Sequence, residues 1–502
     1  MRPGPGHPAA RTGPCHLSSR HGDLGVFYLR MWRDGALALA AVLTVTGWAR
    51  AEEPLRRPNI VFVLTDDETV ELGAYMPKRR ALLDEAGATF TNAFVTYSFC
   101  CPARATTLRG QYAHNHRILG NEQPSGGFEK FRELGLEEST IAVWLKAAGY
   151  RTVMLGKYLN RYRPGTDGVP PGWDEWYVGG NAYVGYNYTL NENGTPATYG
   201  EDPEDFLTDV LTAHATDFIR RAAAEPEPFF VYVAPMAPHS PSTPAPRHAE
   251  LFGDLELPRP ASFDEADVSD KPAVVADLPP LSAEVVVAQT AHYRNRVRSM
   301  QAIDDMVEAL VGALRATGQL DNTYLVYTSD NGYHLGEHRM PWGKTSAYEP
   351  DIRVPLVVRG PGVPAGVTID AFVLNNDLAP TFADMARAEA PRFVDGRSFL
   401  PLFAEATTAW RHGFMVERRQ SELREVGGQH AFDALRTAEW TYVEYRGGAR
   451  ELYDLRKDPD QLDNMVDDAD PALLDALSLR LAELALCAAS ECRRLEDAAI
   501  GP

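Results

Sequence analysis

A chain of 502 residues is long enough to bury a sizeable core and to divide into two domains. A hydrophobic share of 44% and a charged share of 24% are those of a globular protein, not a disordered one. The formal net charge of −20 excludes a general nucleic-acid or polyanion binder, so an anionic substrate would need a local positive pocket.

Residues 1–51 read as a presequence. Met31-Trp32-Arg33 opens a charged stretch, Ala36 to Val45 is apolar, and Ala49-Arg50-Ala51 matches a small-residue cleavage site. The apolar run is too short to span a membrane. Residues 1–30, rich in Pro, Gly, Arg and His, do not suit the front of a signal peptide. Translation is therefore expected to start at Met31 and the mature chain near Glu52. A secreted or periplasmic location follows (lysosomal in an animal source), with no stable membrane insertion.

Four later segments share one design, a short apolar run that ends in polar residues. Asn59–Thr65 ends in Asp66-Asp67-Glu68. Thr152–Leu155 ends in Gly156-Lys157. Phe229–Ala234 leads through a proline-rich loop to His239. Tyr324–Thr328 ends in Ser329-Asp330-Asn331-Gly332. Runs apolar on both faces suit buried parallel strands. Helical patterns lie over Lys78–Ala86, Thr140–Ala148, Asp205–Ala223 and Tyr293–Thr317. The alternation predicts an α/β fold with a mostly parallel sheet, whose ligands bind beyond the carboxyl ends of the strands. The four polar ends then converge on one site. Pro241 to about Ala288, rich in Pro, Asp and Glu, reads as a long surface excursion.

Between the first two strands, Ser98-Phe99-Cys100-Cys101-Pro102-Ala103-Arg104 opens a helix that stops at Gly110. Pro102 suits a first helical turn. Cys100 then sits near a helix N-terminus, where free N–H groups favour an anion, and Arg104 adds a positive fork one turn on. Packing of two small cysteines at a helix start would leave the same pattern.

Past Asp377–Ala388, a helix with Asp377 as its N-cap, the pattern changes. Phe414–Val416, Thr441–Tyr445 and Glu451–Leu455 read as antiparallel strands, with Arg446-Gly447-Gly448 as a turn and Leu473–Leu486 as an amphipathic helix. The expected division is a catalytic domain over 52–390 and a smaller α+β domain over 391–502. Five cysteines are few for this length. Cys487 and Cys492 are spaced to close a small disulfide loop in an oxidising compartment, whereas neighbours Cys100 and Cys101 are too strained for an ordinary bridge.

Asp66, Asp67, Asp330 and Asn331 offer hard oxygen donors for Ca²⁺ or, less well, Mg²⁺. Lys157 and Lys344 could neutralise an oxyanion, and His239 in its rigid Ala-Pro-His-Ser-Pro loop could serve as an acid or base. His334-Leu335-Gly336-Glu337-His338 matches H-x-x-E-H, but Gly336 and the preceding Asp-Asn-Gly favour a loop over the helix a zinc protease needs.

The Cys-x-Pro-x-Arg pattern at Cys100 resembles the signature of type I sulfatases, in which the first cysteine becomes formylglycine. Ala103 departs from the serine usual there. The resemblance runs from about Pro58 to Met465 through PNIVFVLTDDE, CCPARATTLRGQYAHNH, LGKYLNRY, YNYTLNENG, FLTDVL, APHSP, YTSDNGYHLGEH, YEPDIRVPLVVRGPG and ELYDLRKDP. It is closest to N-acetylglucosamine-6-sulfatase-like enzymes. It implies an alkaline-phosphatase-like α/β/α sandwich with a small C-terminal domain of antiparallel sheet and helix. It implies Ca²⁺ held by Asp66, Asp67, Asp330, Asn331 and the formylglycine at Cys100. Arg104 would hold the hydrated side chain, and Lys157, His239 and Lys344 would contact the sulfate. Leu159 stands where many sulfatases carry a histidine, so His114 or His116 are substitutes to consider for the last base. The implied reaction is hydrolysis of a sulfate monoester, 6-O-sulfate on N-acetylglucosamine or a related glycosaminoglycan-type unit, through a covalent sulfo-enzyme. A formylglycine-generating enzyme would be the maturation partner. Related readings are a phosphonate monoester or phosphodiester hydrolase, and a secreted glycan-binding protein with unmodified Cys100.

Overall fold

Four strands carry the framework: β1 (Asn59–Thr65), β2 (Arg151–Lys157), β3 (Phe229–Ala234) and β4 (Thr323–Ser329). In the computed structural model, which describes residues 57–404, 410–419 and 431–500, they lie side by side in the order β4-β1-β3-β2, all parallel. The readings of a start at Met31 and a cleavage near Glu52 fall outside the described residues. The ten-stranded sheet gains antiparallel margins that the sequence patterns do not reveal. Leu356–Arg359 runs antiparallel to β4, and a hairpin of Tyr188–Glu192 and Thr195–Tyr199 closes the other side.

Side chains alternate across a strand, and β1 shows both faces at work. Ile60, Phe62 and Leu64 enter one hydrophobic cluster; Val61 and Val63 enter another. The first is covered by α1 (Cys100–Arg109), through Cys101, Ala105 and Leu108. The second is covered by α2 (Leu207–Ala222), through Phe218 and Ile219, and α3 (Ala283–Ala316), through Met300, Ile303 and Val307. This is the α/β/α sandwich.

The second sheet is antiparallel, in the order β5 (Gly413–Arg418), β6 (Phe432–Thr437), β7 (Trp440–Tyr445) and β8 (Arg450–Asp454), followed by α4 (Pro471–Leu484) and α5 (Ser490–Asp497). Phe414, Leu435, Leu452 and Leu481 join the cluster on the α1 face, so both sheets share one core. Cys487 and Cys492 are disulfide-bonded. Among the described residues, no helix is long and apolar enough to cross a membrane.

Three local readings change. The helix expected to begin at Tyr293 starts at Ala283, where the Ser282 hydroxyl caps it by accepting from the Val285 N–H. The excursion after Pro241 is correspondingly shorter. Asp377 stands at the N-cap, but its carboxylate accepts from Leu374, Arg397 and Arg411 and not from the helix. β6 and α5 are additional; α5 is too polar to show an apolar period.

Candidate active site

Phe99 is extended (φ −148°, ψ 137°), and the chain turns into α1 at Cys100. Pro102 falls in the first turn, where backbone N–H groups have no helical acceptor. Gly110 ends the helix in the left-handed region (φ 68°), where a β-carbon would press on Val394. All ten residues of α1 are buried, so Cys100 is carried into the interior at the helix N-terminus.

The strand ends meet it there. β1 runs into Asp66 and Asp67, β4 into Asp330 and Asn331, and β2 ends on Lys157. Gly156 precedes that lysine with φ 94°; a β-carbon would come within 2.0 Å of the Ala234 carbonyl on β3. His239 follows β3 in a loop tied to the site by the Asp66 N–H, which donates to the Ala237 carbonyl at 3.2 Å. Lys344 arrives from the long loop after β4. The sequence expectation of convergence is met by Asp66, Asp67, Cys100, Arg104, Lys157, His239, Asp330, Asn331 and Lys344.

Cys100 Sγ lies 2.7 Å from Lys344 Nζ and 3.8 Å from Asp66 Oδ1. Lys157 Nζ donates to Asp66 at 2.5 Å, and Lys344 Nζ also donates to Asp67. Arg104 Nε donates to Asp330 Oδ2 at 2.8 Å and Nη1 to the Lys157 carbonyl at 2.8 Å. Arg104 thus braces carboxylate and lysine together. His239 Nδ1 is 2.8 Å from the Ser240 carbonyl, which requires the proton on Nδ1 and turns Nε2 toward Asp67 at 3.7 Å. Cys100, Arg104, Lys157, Asp66, Asp67, Asp330 and Asn331 are each at most 2% exposed.

Burial raises the Asp66 and Asp67 pKa values, but Lys157 beside the first and Lys344 beside the second outweigh it, and both carboxyls fall below the usual range. Burial likewise opposes charge on both lysines, and the same carboxylates overcome it and raise them. His239 is moved to about 9, burial being outweighed by Asp67 and Asp66.

The residues fit a hard cation. Oxygens of Asp66, Asp67 and Asp330 lie within 4.8 Å of one another, all buried. Asn331 Nδ2 donates to Asp67 at 2.7 Å, whereas its buried Oδ1 has no hydrogen-bond partner. An orphan acceptor beside a carboxylate trio is the donor set of an oxygen-ligated dication.

Four further side chains shape the site without having been singled out. Tyr183 places its ring 4.4 Å from His239 and 5.1 Å from Lys157 Nζ. Buried Arg296 donates to the Asp67 carbonyl at 2.6 Å and lies 4.5 Å over the Tyr333 ring. His292 stands near Tyr333, its pKa lowered to about 4, first by burial and then by Arg296. Arg296 alone left a signal, a charge within the buried helical period of Tyr293, Val297 and Met300. His114 and His116 go elsewhere: His114 to Glu417 and the Cys487 carbonyl, His116 to Thr106. His334 and His338 of the H-x-x-E-H pattern lie on a loop, paired with Asp351 and Glu265 respectively.

A cleft of about 890 Å³ opens on Lys157 and Tyr183 and continues along Asn121, Leu159, Asn160, Arg161 and Asn181. Parallel strands ending on one carboxylate cluster, with three cations around buried Cys100, define an anion-handling site at the carboxyl edge of an α/β sheet.

A family model described as Sulfatase matches residues 58–388, and one described as N-sulphoglucosamine sulphohydrolase, C-terminal, matches 336–485. The chain belongs to the sulfatase family. It is 36% identical over 496 residues to human N-acetylglucosamine-6-sulfatase, covering 91% of this chain and 89% of that one. It is 33% identical to an arylsulfatase of Chlamydomonas reinhardtii, covering 91% and 79%. A solved structure of a protein with its substrate D-glucosamine-2-N,6-O-disulfate superposes with a TM-score of 0.72 at 24% identity, covering 85% of this chain and 97% of that one.

Proposed function

We propose that this sulfatase hydrolyses the 6-O-sulfate ester of N-acetylglucosamine or a related sulfated glycan unit. The supporting observation is Cys100 at a helix N-terminus with Lys344 at 2.7 Å and a carboxylate cluster adjoining. Similarity to N-acetylglucosamine-6-sulfatases over nine-tenths of the chain supports the choice of sugar.

Asp66, Asp67, Asp330 and Asn331 would hold Ca²⁺, which suits flexible oxygen coordination better than Mg²⁺ does. When bound, it supplies fixed positive charge against the ester oxygens. Oxidation of Cys100 by a formylglycine-generating enzyme supplies an aldehyde hydrate, and Sγ here stands where a hydroxyl oxygen of that group would be. The chain's own residues do the rest. Three carboxylates are already balanced by Arg104, Lys157 and Lys344, so charge added by a dication is left to meet the sulfate. Lys157, at the end of β2, and Lys344, from the loop after β4, flank the sulfate oxygens. Arg104 keeps Asp330 and the Lys157 backbone in place. His239, fixed through Nδ1, presents Nε2 to the leaving alcohol oxygen for proton transfer. The catalytic domain is 52–390, with 391–502 as the smaller domain, in a secreted or periplasmic setting.

The test is kcat/KM of the purified, matured enzyme on N-acetylglucosamine 6-sulfate, on 4-nitrophenyl sulfate and on a phosphonate monoester. Sulfate hydrolysis should dominate, with the sugar ester the best of the three. Dominant phosphonate turnover would overturn the reading.

A further inference from the structure

The cleft that opens on Lys157 is walled by charge as well as by amides. Arg161 and Arg163 line it, facing Glu122 and Glu129. The two arginines differ. Arg163 is clamped by two carboxylates, Asp167 at 3.2 Å and Glu129 at 3.0 Å. Among the described residues Arg161 has one ionic partner, Glu122; the two side chains are 61% and 58% exposed, so Arg161 is as open to solvent as Arg163 at 60% but has one carboxylate where Arg163 has two. Exposed pairs of this kind contribute little and exchange readily for a better anion.

Arg161 is also held in an unusual backbone state, with φ 71°. A left-handed residue with a β-carbon is uncommon, and such positions concentrate at functional sites. It lies four residues past Lys157, within about 14 Å of chain. That is within reach of a short oligosaccharide whose ester is held at Lys157. Across the cleft, Asn121 is already oriented: its Oδ1 accepts the Cys101 N–H at 2.9 Å. Its Nδ2 has no hydrogen-bond partner among the described residues. An oriented amide donor and a lightly held guanidinium thus line one cleft with the sulfate lysine, in a protein of net charge −20.

We propose that Arg161 and Asn121 form a second anion subsite, which takes a sulfate or carboxylate of the substrate other than the ester being cut. Glu122 occupies the guanidinium until the substrate displaces it. The inference rests on the sulfated-glycan reading above. Two sources share the chemistry: an N-sulfate on the same sugar, or the carboxylate of a neighbouring uronic acid.

The experiment compares three substrates that all carry a 6-O-sulfated glucosamine. N-acetylglucosamine 6-sulfate has no second anion; glucosamine 2-N,6-O-disulfate has one on the ring; a uronic acid disaccharide of N-acetylglucosamine 6-sulfate has one on the next ring. Arg161→Gln should lower kcat/KM about tenfold, through KM, on whichever dianionic substrate the subsite serves. It should leave the monoanionic sugar within about twofold. Glu122→Gln should act with the opposite sign on the same substrate. Calorimetric titration in a Cys100→Ala background should show the same weakening of binding without turnover. A loss confined to the disulfate assigns the same ring, and one confined to the disaccharide assigns the neighbour. Equal losses on all three, no loss on either dianion, or losses of the same sign from Glu122→Gln would overturn the subsite. A wild-type enzyme that cuts 4-nitrophenyl sulfate but none of the three sugars would remove the glycan reading, and the subsite with it.

Discussion

Lys344→Met separates the chemistry of the site from its stability. Lys344 Nζ touches both the Cys100 sulfur, at 2.7 Å, and the Asp67 carboxylate, and its side chain is only 11% exposed. Contacts this close and this dry are charge-assisted and poorly screened. Loss of one such electrostatic donor should lower kcat by about 10²–10³, or ~2.7–4 kcal/mol of barrier. In metal-free protein the same change leaves Asp67 with His239 at 3.7 Å and the Asn331 amide as its remaining side-chain partners. Breaking one partner from a buried pair costs about 3–5 kcal/mol, and His239 should hold the loss near the lower figure. Added Ca²⁺ should recover that stability by replacing the lost charge, but not the activity. The assay is saturation kinetics on 4-nitrophenyl sulfate beside thermal melts with and without Ca²⁺. Lys344→Arg keeps the charge and should be intermediate, because a planar fork cannot reproduce an ammonium point contact. Turnover within about tenfold of wild type in Lys344→Met, at saturating Ca²⁺, would refute the assignment of this lysine to the sulfate.

Cys100→Ala should abolish turnover with the melting curve nearly unchanged, and the active wild-type protein should yield a Cys100 peptide lighter than its encoded mass. Ca²⁺ at one hundred times its Kd should stabilise the fold by about 2.7 kcal/mol; Asn331→Leu, which removes the orphan acceptor, should erase most of that shift in calorimetry. The His114–Glu417 pair, 2.9 Å apart, sets a pH window for stability away from the active site. Burial opposes the charge on His114 but Glu417 outweighs it and raises the pKa; burial opposes the charge on Glu417 but His114 outweighs it and lowers the pKa. The histidine's contribution is complete below about 6.5 and fades as pH rises through its folded value; the glutamate's is complete above about 4.3 and fades as pH falls. The melting difference between wild type and Glu417→Gln should therefore be largest between those values and shrink as pH rises through the raised His114 pKa. A difference that grows with pH would contradict the pairing.

Much of the site was legible along the chain because its carriers are local. A run such as Asn59–Thr65 is buried on both faces wherever it sits, and its terminal Asp66 and Asp67 lie at the strand's carboxyl end in any parallel sheet. Pro102 and Gly110 bracket α1 by backbone chemistry alone, which places Cys100 at a helix N-terminus before any tertiary contact is known. The family motifs carried Lys157 and His239, and Lys344 falls between two of them; no periodicity describes the surroundings of any of the three. Tyr183 and His292 had no such carrier, and Tyr333 lies inside the motif YTSDNGYHLGEH with nothing there to mark it. A tyrosine in a loop or a histidine on a half-buried helix looks alike whether or not a lysine will stand beside it.

Sequence alone determined the four framework strands, the helix that begins at Cys100 and the acidic strand ends, because each depends on neighbours a few residues away. Only the tertiary structure decided that β4, β1, β3 and β2 adjoin in that order, that Asn331 is left with an unpaired oxygen, and that Arg161 and Asn121 face one cleft with Lys157. Parallel pairing joins segments separated by tens to hundreds of residues, and the energy that selects one order over another resides in the packed faces of the sheet, not in any one strand.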